Sequence, residues 1–561
     1  MLDHGDRERR KFNVQGPFAS AWFKRLLLWF FPVLFLLQFF FVPLFRILSL
    51  GFDASALKTE NFSLAFSVLS FTFYQASLSL ALTFMLGLPS AILFARYDFY
   101  GKSFLRALTA IPFMLPTVVV ATAFNSLLGP NGWIHSLFPL SSFQFMGTLT
   151  AILIAHVFYN TTIVIRIVGN ALSRLDPKLE YAARSLGADS SRVWWNVILP
   201  LLRPSLLAAA LLVFLFDFTS FGVILLLGGT NFSTLEVEIY LRVLKLPNLP
   251  LAALLSLIQL IFTLILSLFY TRVINQTTVQ TAPRFSASSL PASIREKIFA
   301  ALLVLFLSSF FFLPLVSLPL RSLARLEADR GQRMEVQDGI TIDYYKELFI
   351  NRRGSLFYVP PIQAALNSFA FAGLTVLFSL FLGFPAAFAL AKPTGLEKIL
   401  DPLLILPLGS SAVMLGLGFI LSFGSALSLP IFVPIAHTLI ALPFVVRALQ
   451  PAIASIPERL RQAASMLGAS PFRVWQTVDF PILSRATLTA ATFAFTISLG
   501  EFGATLLLSR PDRPTIPVAI ARFLSQPGGL NYGQAMAMST ILMVITCVSI
   551  LFIERDDNRF A

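Results

Sequence analysis

Charged side chains and cysteine are both scarce in this chain of 561 residues. Charged residues account for 12% of the positions, whereas soluble domains usually contain about 25%. The single cysteine, Cys547, lies inside an apolar run. One cysteine excludes an intrachain disulfide and a cysteine-based metal site. We therefore expect a protein that is not soluble and globular, and that holds neither a metal nor another cofactor.

Apolar residues take the place of the missing charge. They make up 56% of the chain, and phenylalanine alone occupies 58 positions. A membrane-spanning helix needs about 20 consecutive, mostly apolar residues. Runs of this length predict an all-α polytopic membrane protein with about twelve transmembrane helices, whose partner is the lipid bilayer. The runs cover residues 26–48, 71–94, 105–128, 147–165, 204–227, 251–269, 298–318, 364–390, 402–423, 430–446, 486–508 and 533–553.

Lysine and arginine lie mainly in the short segments between the apolar runs. The segment after the second run carries Arg96, Lys102 and Arg106, whereas residues 129–148 contain no lysine or arginine. An excess of positive charge is typical of the cytoplasmic loops of membrane proteins. The net charge of +14 therefore indicates membrane topology rather than a nucleic-acid partner, and we expect both termini to be cytoplasmic.

A long register of matching residues indicates that the chain is a duplicated unit. Gly468 lies 281 residues after Gly187, and the same offset relates further pairs: His156 and His437, Arg166 and Arg447, Trp194 and Trp475, Pro200 and Pro481, Phe221 and Phe502, Thr234 and Thr515. Upstream, Pro385 lies 296 residues after Pro89, so we expect extra residues in an external loop of the first half. Six runs per half predict two parallel repeats, related by an axis along the membrane normal.

These patterns divide the chain into five segments. Residues 1–25 are a cytoplasmic N-terminal segment, residues 26–270 are the first six-helix domain, and residues 298–553 are the second. Residues 271–297, rich in Thr, Ser and Pro, are expected to form a flexible cytoplasmic linker. Residues 554–561 form a cytoplasmic tail.

Each half contains a polar segment that we name an elbow: the first elbow is residues 174–204 and the second elbow is residues 455–485. Each predicts two short helices joined at a glycine, Gly187 or Gly468, in a left-handed conformation. The helix starts are predicted from capping residues: Asp176 before Pro177, Asp189, Ser455 with Glu458 in a capping-box spacing, and Ser470 before Pro471. Two copies in register favour a docking element.

The elbows resemble the signature of the binding-protein-dependent ABC importer permeases, which runs Glu-Ala-Ala, three residues, Gly, nine residues, Ile-x-Leu-Pro. The matching residues are Ala182, Ala183, Gly187, Val197, Leu199 and Pro200 in the first elbow, and Ala463, Ala464, Gly468, Val478, Phe480 and Pro481 in the second. The acidic position is Tyr181 in one copy and Gln462 in the other, although Glu180 is adjacent to Tyr181.

The resemblance implies a type I ABC importer permease fold in the bacterial cytoplasmic (inner) membrane. It further implies two copies of a cytoplasmic ATPase, each gripping one elbow, and an external or periplasmic solute-binding protein. ATP hydrolysis is then the task of a separate chain, so this chain is expected not to be an enzyme. The only phosphate-loop-like string, Gly101-Lys102-Ser103, has Arg96 where such a loop needs its first glycine.

The tandem layout is most similar to the ferric-iron and thiamine branch of the family, so either solute is the best guess. The stretch from Gly500 to Thr505 also resembles permeases for oxyanions such as molybdate and sulfate. A secondary transporter driven by an ion gradient is the alternative class, because it also uses about twelve helices in two parallel halves. The duplicated elbow distinguishes the importer from it.

Three polar residues in the spans are candidates for the translocation pathway: Asp217, Ser220 and Glu501. A carboxylate deep in a membrane helix costs about 2.5–3.5 kcal/mol on insertion scales, so it usually faces a cavity or a partner. A packing role between helices is an equal alternative for both acids. His156 and His437 occupy equivalent places, and hydrogen bonding across helices is favoured for them over metal ligation.

Overall fold

The computed structural model describes residues 18–137, 145–229, 232–277, 290–291, 293–326, 339–350 and 359–557. Within these residues the regular structure is helical, and the only β pairing is an isolated antiparallel bridge between Ala324 and Ile340. The prediction of an all-α fold is therefore confirmed.

The first half contains thirteen α-helices among the described residues, and two π-helical turns interrupt them at Leu37–Phe41 and Trp194–Ile198. The helices are α1 (Phe18–Leu36), α2 (Val42–Gly51), α3 (Thr59–Arg96), α4 (Lys102–Met114), α5 (Thr117–Leu128), α6 (Trp133–Leu137), α7 (Leu149–Ser173), α8 (Pro177–Ser185), α9 (Ser190–Val193), α10 (Leu199–Phe218), α11 (Gly222–Leu227), α12 (Leu235–Leu244) and α13 (Leu249–Thr277).

The second half repeats this order, with a 3₁₀ turn at Gly424–Ser428 and a π-helical turn at Trp475–Asp479. Its helices are α14 (Ile294–Ser322), α15 (Asp343–Glu347), α16 (Pro361–Ala391), α17 (Glu397–Gly409), α18 (Ala412–Phe423), α19 (Phe432–Ala454), α20 (Glu458–Met466), α21 (Pro471–Val474), α22 (Phe480–Gly500), α23 (Gly503–Leu508), α24 (Ile516–Leu524) and α25 (Gly529–Asp557). Helices α8, α9 and α11 match α20, α21 and α23 end for end, so the repeat extends from sequence to structure.

Ten helices in the described part of the chain are long and apolar enough to span a membrane, and two bent helix pairs raise the number to as many as twelve. The spans predicted at 105–128 and 402–423 are each a bent pair of helices, because α4 and α5 meet at 113° and α17 and α18 meet at 98°. Pro116 forces the first bend: the preceding Leu115 is extended, as residues before proline tend to be. In the second bend Ser411 caps α18 by accepting a hydrogen bond from Met414 N at 2.9 Å.

The spans predicted at 204–227 and 486–508 are also not continuous. Helix α10 ends at Phe218 before α11 begins at Gly222, and α22 ends at Gly500 before α23 begins at Gly503. Both glycines lie against a neighbouring helix: a Cβ at Gly222 would lie 2.4 Å from Thr117 Oγ1, and one at Gly503 would lie 3.1 Å from Ala412 Cβ. The chain therefore breaks where α5 and α18 approach it closely.

The first helix of each half packs on the other half. Helix α1 lies along α16, and its Trp29 belongs to the hydrophobic core of the second half. Helix α14 lies along α5, and the ring of its Phe311 packs against Phe158 of the first half with centroids 5.3 Å apart. Arg25 of α1 also forms an ion pair with Glu397 at the start of α17, at 3.1 Å. The repeat boundary in the sequence is thus not a packing boundary.

Residues 278–289 and 292 of the predicted linker lie outside the described residues. Helix α13 continues to Thr277 and α14 begins at Ile294, where Ser293 and Glu296 form a capping box. The external loop predicted to be longer in the first half contains α6, and residues 138–144 of that loop lie outside the description.

Candidate functional site: the elbows and the interface between the halves

The first elbow has the predicted shape. Asp176 caps α8 by accepting a hydrogen bond from Lys178 N at 3.0 Å, and Asp189 caps α9 by accepting one from Arg192 N at 3.1 Å. Between the helices Gly187 has a φ of +84°, and Ala188 N donates to Ala183 O at 3.1 Å. This bond and the positive φ form a Schellman motif, which satisfies carbonyls at the end of α8.

The second elbow repeats this geometry with different residues. Gly468 has a φ of +81°, Ala469 N donates to Ala464 O at 3.1 Å, and Ser470 caps α21. The predicted capping box of Ser455 and Glu458 is wrong. Ser455 has helical angles as the C-cap residue that follows α19, and its hydroxyl donates to Ala452 O at 2.8 Å. A residue in that conformation ends one helix and cannot cap the next.

The signature residues lie on equivalent faces in the two copies. Tyr181, Ala182, Gln462 and Ala463 are exposed, whereas Ala183 and Ala464 are half-buried. Pro200 and Pro481 lie in the first turn of α10 and α22, where proline costs no hydrogen bond. At the tip of each elbow an apolar side chain is open to solvent: Leu186 and Leu467 are each 89% exposed. Large exposed apolar side chains at matched positions indicate a surface that a partner covers.

Each elbow is fastened to the end of a long span by an ion pair. In the first half Arg96, at the end of α3, binds Glu180 at 2.5 Å and lies over the Trp194 ring. In the second half Lys392, which follows α16, binds Glu458 at 2.7 Å. The hydrogen bond and the charge of Lys392 lower the pKa of Glu458 below its ordinary value.

The charge pattern is exchanged between the two copies. Adding 281 to Glu180 gives Arg461, so the acid is replaced by a base. Arg461 binds Asp479 at 2.8 Å instead. Both elbows are therefore linked to a span by an ion pair, although the residues that form the pair differ.

Asp217 lies at the centre of a buried polar cluster inside the first half. Its Oδ1 accepts a hydrogen bond from Asn160 Nδ2 at 2.7 Å and faces His156 Nδ1 at 3.4 Å. Its backbone carbonyl accepts from Gln75 Nε2 at 2.8 Å. This cluster joins α3, α7 and α10, so these partners of Asp217 all belong to the first half.

Ser220, the second pathway candidate, bonds to the other side of the same histidine. Its hydroxyl lies 2.8 Å from His156 Nε2. The structure therefore brings Asp217 and Ser220 together around His156, as sequence position alone could not show.

The second half has a matching cluster around His437. The histidine Nδ1 lies 2.7 Å from Ser498 Oγ, and Nε2 lies 2.7 Å from Thr505 Oγ1 and 3.2 Å from Glu501 Oε2. Glu501 also accepts hydrogen bonds from Ala504 N and Thr505 N at 2.8 Å and 2.9 Å, so it caps the start of α23. Ser498 bonds to Thr375 of α16 at 3.2 Å.

The two halves meet at Phe221 and Phe502, which stack with ring centroids 5.7 Å apart. Beside them lies a cavity of about 150 Å³, lined by residues of both halves, namely Leu215, Phe216, Thr219, Phe221, Glu236, Leu408, Gly409, Ser410, Ser411 and Ala412. Sequence reasoning missed Glu236 because α12 is too short to count as a span. The sequence feature that could have identified Glu236 is an acid two residues after the repeated Thr234, between two apolar residues.

Comparison with known proteins agrees with this geometry. The family described as the binding-protein-dependent transport system inner membrane component matches residues 84–279, which include the first elbow. The thiamine transport system permease protein of Brucella abortus (strain 2308) is 27% identical over 518 residues, covering 90% of this chain and 89% of its own. The corresponding protein of Haemophilus influenzae is 26% identical over 494 residues, covering 86% of each chain.

A third relative covers almost the full length of both proteins. The probable ABC transporter permease y4fN of Sinorhizobium fredii is 25% identical over 573 residues, covering 99% of this chain and 98% of its own. These similarities extend over both repeats, and the two elbows have one construction. The chain is therefore a fused, non-catalytic permease subunit of a binding-protein-dependent ABC importer, a multi-pass protein of the inner membrane.

Proposed function

We propose that this chain forms the translocation pathway of an importer with two ATPase subunits, one bound at each elbow. One observation carries this proposal. In each elbow a left-handed glycine follows the first short helix, and an exposed leucine, Leu186 or Leu467, directly precedes that glycine. An external binding protein delivers the solute to the opposite face. Both termini then lie in the bacterial cytoplasm, in accord with the arginine and lysine distribution.

The buried polar clusters connect each elbow to several transmembrane helices of the same half. Helix α3 carries Arg96, which binds the first elbow, and also Gln75, which bonds to Asp217 on α10. In the second half α16 leads to Lys392 at the elbow and carries Thr375, which bonds to Ser498 on α22. Movement of an elbow is therefore passed to a three-helix unit rather than to one helix.

This arrangement changes the proposed roles of the pathway candidates. Ser220 hydrogen-bonds to His156, and Asp217 faces the same histidine, so we assign both residues to a polar cluster between helices. Glu236 lines the cavity between the halves, and Glu501 precedes Phe502, whose ring stacks on Phe221 of the cavity wall. Glu501 and Glu236 are therefore the acids that we place nearest the pathway.

Thiamine is the solute that we propose. The relatives from Brucella and Haemophilus carry a thiamine permease name, and thiamine is a cation, which acids at the interface attract. An oxyanion such as molybdate would be repelled by the same acids. Ferric iron shares the favourable sign of charge and is the second candidate.

Uptake by reconstituted vesicles tests the proposal. Vesicles that contain the permease with its ATPase, supplied with the binding protein and ATP, are expected to accumulate labelled thiamine. Omission of either partner or of ATP should abolish uptake. Accumulation of ferric iron but not of thiamine would show that ferric iron is the solute. Uptake driven by a proton gradient without the ATPase would show that the protein is a secondary transporter.

A further inference from the structure

The cavity between the halves contains one buried acid whose hydrogen bonding is incomplete. Glu236 is 1% exposed, and its Oε1 accepts a hydrogen bond from Gln259 Nε2 at 2.6 Å. Among the residues that the structure describes, Glu236 Oε2 has no hydrogen-bond partner. Leaving a buried polar atom unpaired is costly unless something else satisfies it.

The other half brings a second acid to this region. Glu501 precedes Phe502, whose ring stacks on Phe221 of the cavity wall. Two carboxylates in one buried region repel each other. A cation between or beside the two carboxyl groups would relieve this repulsion. The cavity therefore has the electrostatic character of a cation site.

The other side of the repeat axis lacks these groups. Adding 281 to Glu236 gives Pro517. Helix α18 lies 295 residues after α5 at both ends, and subtracting 295 from Ser411 gives Pro116. Gly500 takes the place of Thr219, and a Cβ there would lie 3.2 Å from Pro116 Cγ. The equivalent positions on the other side of the axis therefore carry prolines in place of these polar side chains, and Pro116 packs close to Gly500. The two sides of the axis differ in polarity at these positions.

Aromatic rings complete the polar side. Phe216 and Phe221 both line the cavity, and a cation over an aromatic face gains about 0.5–2 kcal/mol. Ser410 and Ser411 add hydroxyl groups at the break between α17 and α18. Carboxylate, hydroxyl and aromatic groups together suit an organic cation with a charged ring and polar substituents.

We propose that this cavity is a single, asymmetric binding site for the cationic ring of thiamine, with Glu236 as its counter-charge and Phe216 and Phe221 as its aromatic faces. The site rests on the proposed function and adds where the solute is held. The volume of about 150 Å³ is below that of most ligand pockets, which are about 300–1,000 Å³. The halves must therefore separate to admit a whole thiamine molecule.

Neutralising Glu236 in the assembled importer tests the site. We expect Glu236→Gln to lower the initial rate of labelled thiamine uptake about tenfold or more, because a charged hydrogen bond is lost. Glu236→Asp, which keeps the charge, should retain more uptake than the amide variant. ATP hydrolysis stimulated by the loaded binding protein should persist in both variants, which shows that the complex is assembled.

A matched control lies on the same helix. Glu238 is buried, but it binds Arg242 at 2.7 Å and does not line the cavity. Glu238→Gln should therefore leave uptake within about twofold of the unmodified importer. If Glu236→Gln fails to assemble, Phe216→Leu provides the test, with an expected loss of about threefold from the missing aromatic face.

Separate outcomes distinguish the two proposals. Normal thiamine uptake by Glu236→Gln and Phe216→Leu would overturn the site and leave the proposed function standing. Equal losses in Glu236→Gln and Glu238→Gln would also overturn it, because they would show a general need for buried acids in α12. Failure of the unmodified importer to take up thiamine would overturn the proposed solute, and the thiamine site with it.

Discussion

His156 and His437 occupy equivalent positions in the two repeats, but their carboxylate and hydroxyl partners are exchanged. In the first half Nδ1 faces the carboxylate of Asp217 and Nε2 faces a serine. In the second half Nδ1 faces the hydroxyl of Ser498 and Nε2 faces the carboxylate of Glu501. Each half therefore keeps one acid, one serine and one histidine, although the acid comes from a different position.

This relationship predicts a stability role for Asp217. Asp217→Ala would leave Asn160 Nδ2 without its buried acceptor and should cost about 1–3 kcal/mol. Asp217→Asn keeps a side chain that can still accept from Asn160, so it should cost less. Thermal unfolding of the purified permease checks this order. Equal melting temperatures for the alanine variant and the unmodified protein would show that the cluster does not hold the helices.

The elbow glycines are expected to tolerate only residues that adopt a positive φ. Gly187→Val and Gly468→Val each place a β-branched residue at a φ above +80°, which should cost about 1–3 kcal/mol locally. ATPase coupling should be lost while membrane insertion is kept. Asparagine at the same positions is the control, because it adopts this conformation more readily. Full coupling in both valine variants would contradict the proposed role of the elbows.

The ion pair between Arg96 and Glu180 should be restored by exchanging its charges. Arg96 Nη2 and Glu180 Oε1 lie 2.5 Å apart in the unmodified protein. Either Arg96→Glu or Glu180→Arg alone puts two like charges at this contact, where they repel each other. We expect each single variant to lower ATP-driven uptake, and the double variant Arg96→Glu/Glu180→Arg to recover much of it. A double variant that is as inactive as the worse single variant would show that the residues act separately.

Membrane topology is open to a direct labelling test. In a variant without Cys547, single cysteines at Ser190 and Ser470 should be protected from an impermeant thiol reagent in intact cells. A cysteine at Ser428, in the exposed turn between α18 and α19, should react. Labelling of Ser190 from outside would reverse the proposed orientation.

The sequence predicted the elbows well because their geometry depends on local residues. Asp189, Gly187 and Gly468 act through their own conformations and hydrogen bonds to nearby backbone groups. The prediction that Ser455 caps the next helix was wrong because Ser455 is the C-cap of α19. Where α19 ends depends on packing over the length of that helix.

Long-range features could not be read in the same way. The exchange of α1 and α14 between halves places Trp29 beside residues more than 300 positions away. Hydropathy identifies each span but carries no information on its neighbour. The cavity at Glu236 likewise depends on α12 meeting the start of α18, and the repeat register indicated only that its counterpart is Pro517.

Cross-linking from the two elbow tips tests the central claim most directly. Photoreactive residues replacing Leu186 and Leu467, in separate variants of the assembled complex, should each become attached to the ATPase, and native mass spectrometry should show two ATPase subunits for one permease. A control at Tyr74, an exposed position in the middle of α3, should give no such product. Cross-linking from only one elbow, or a complex with a single ATPase subunit, would contradict the account.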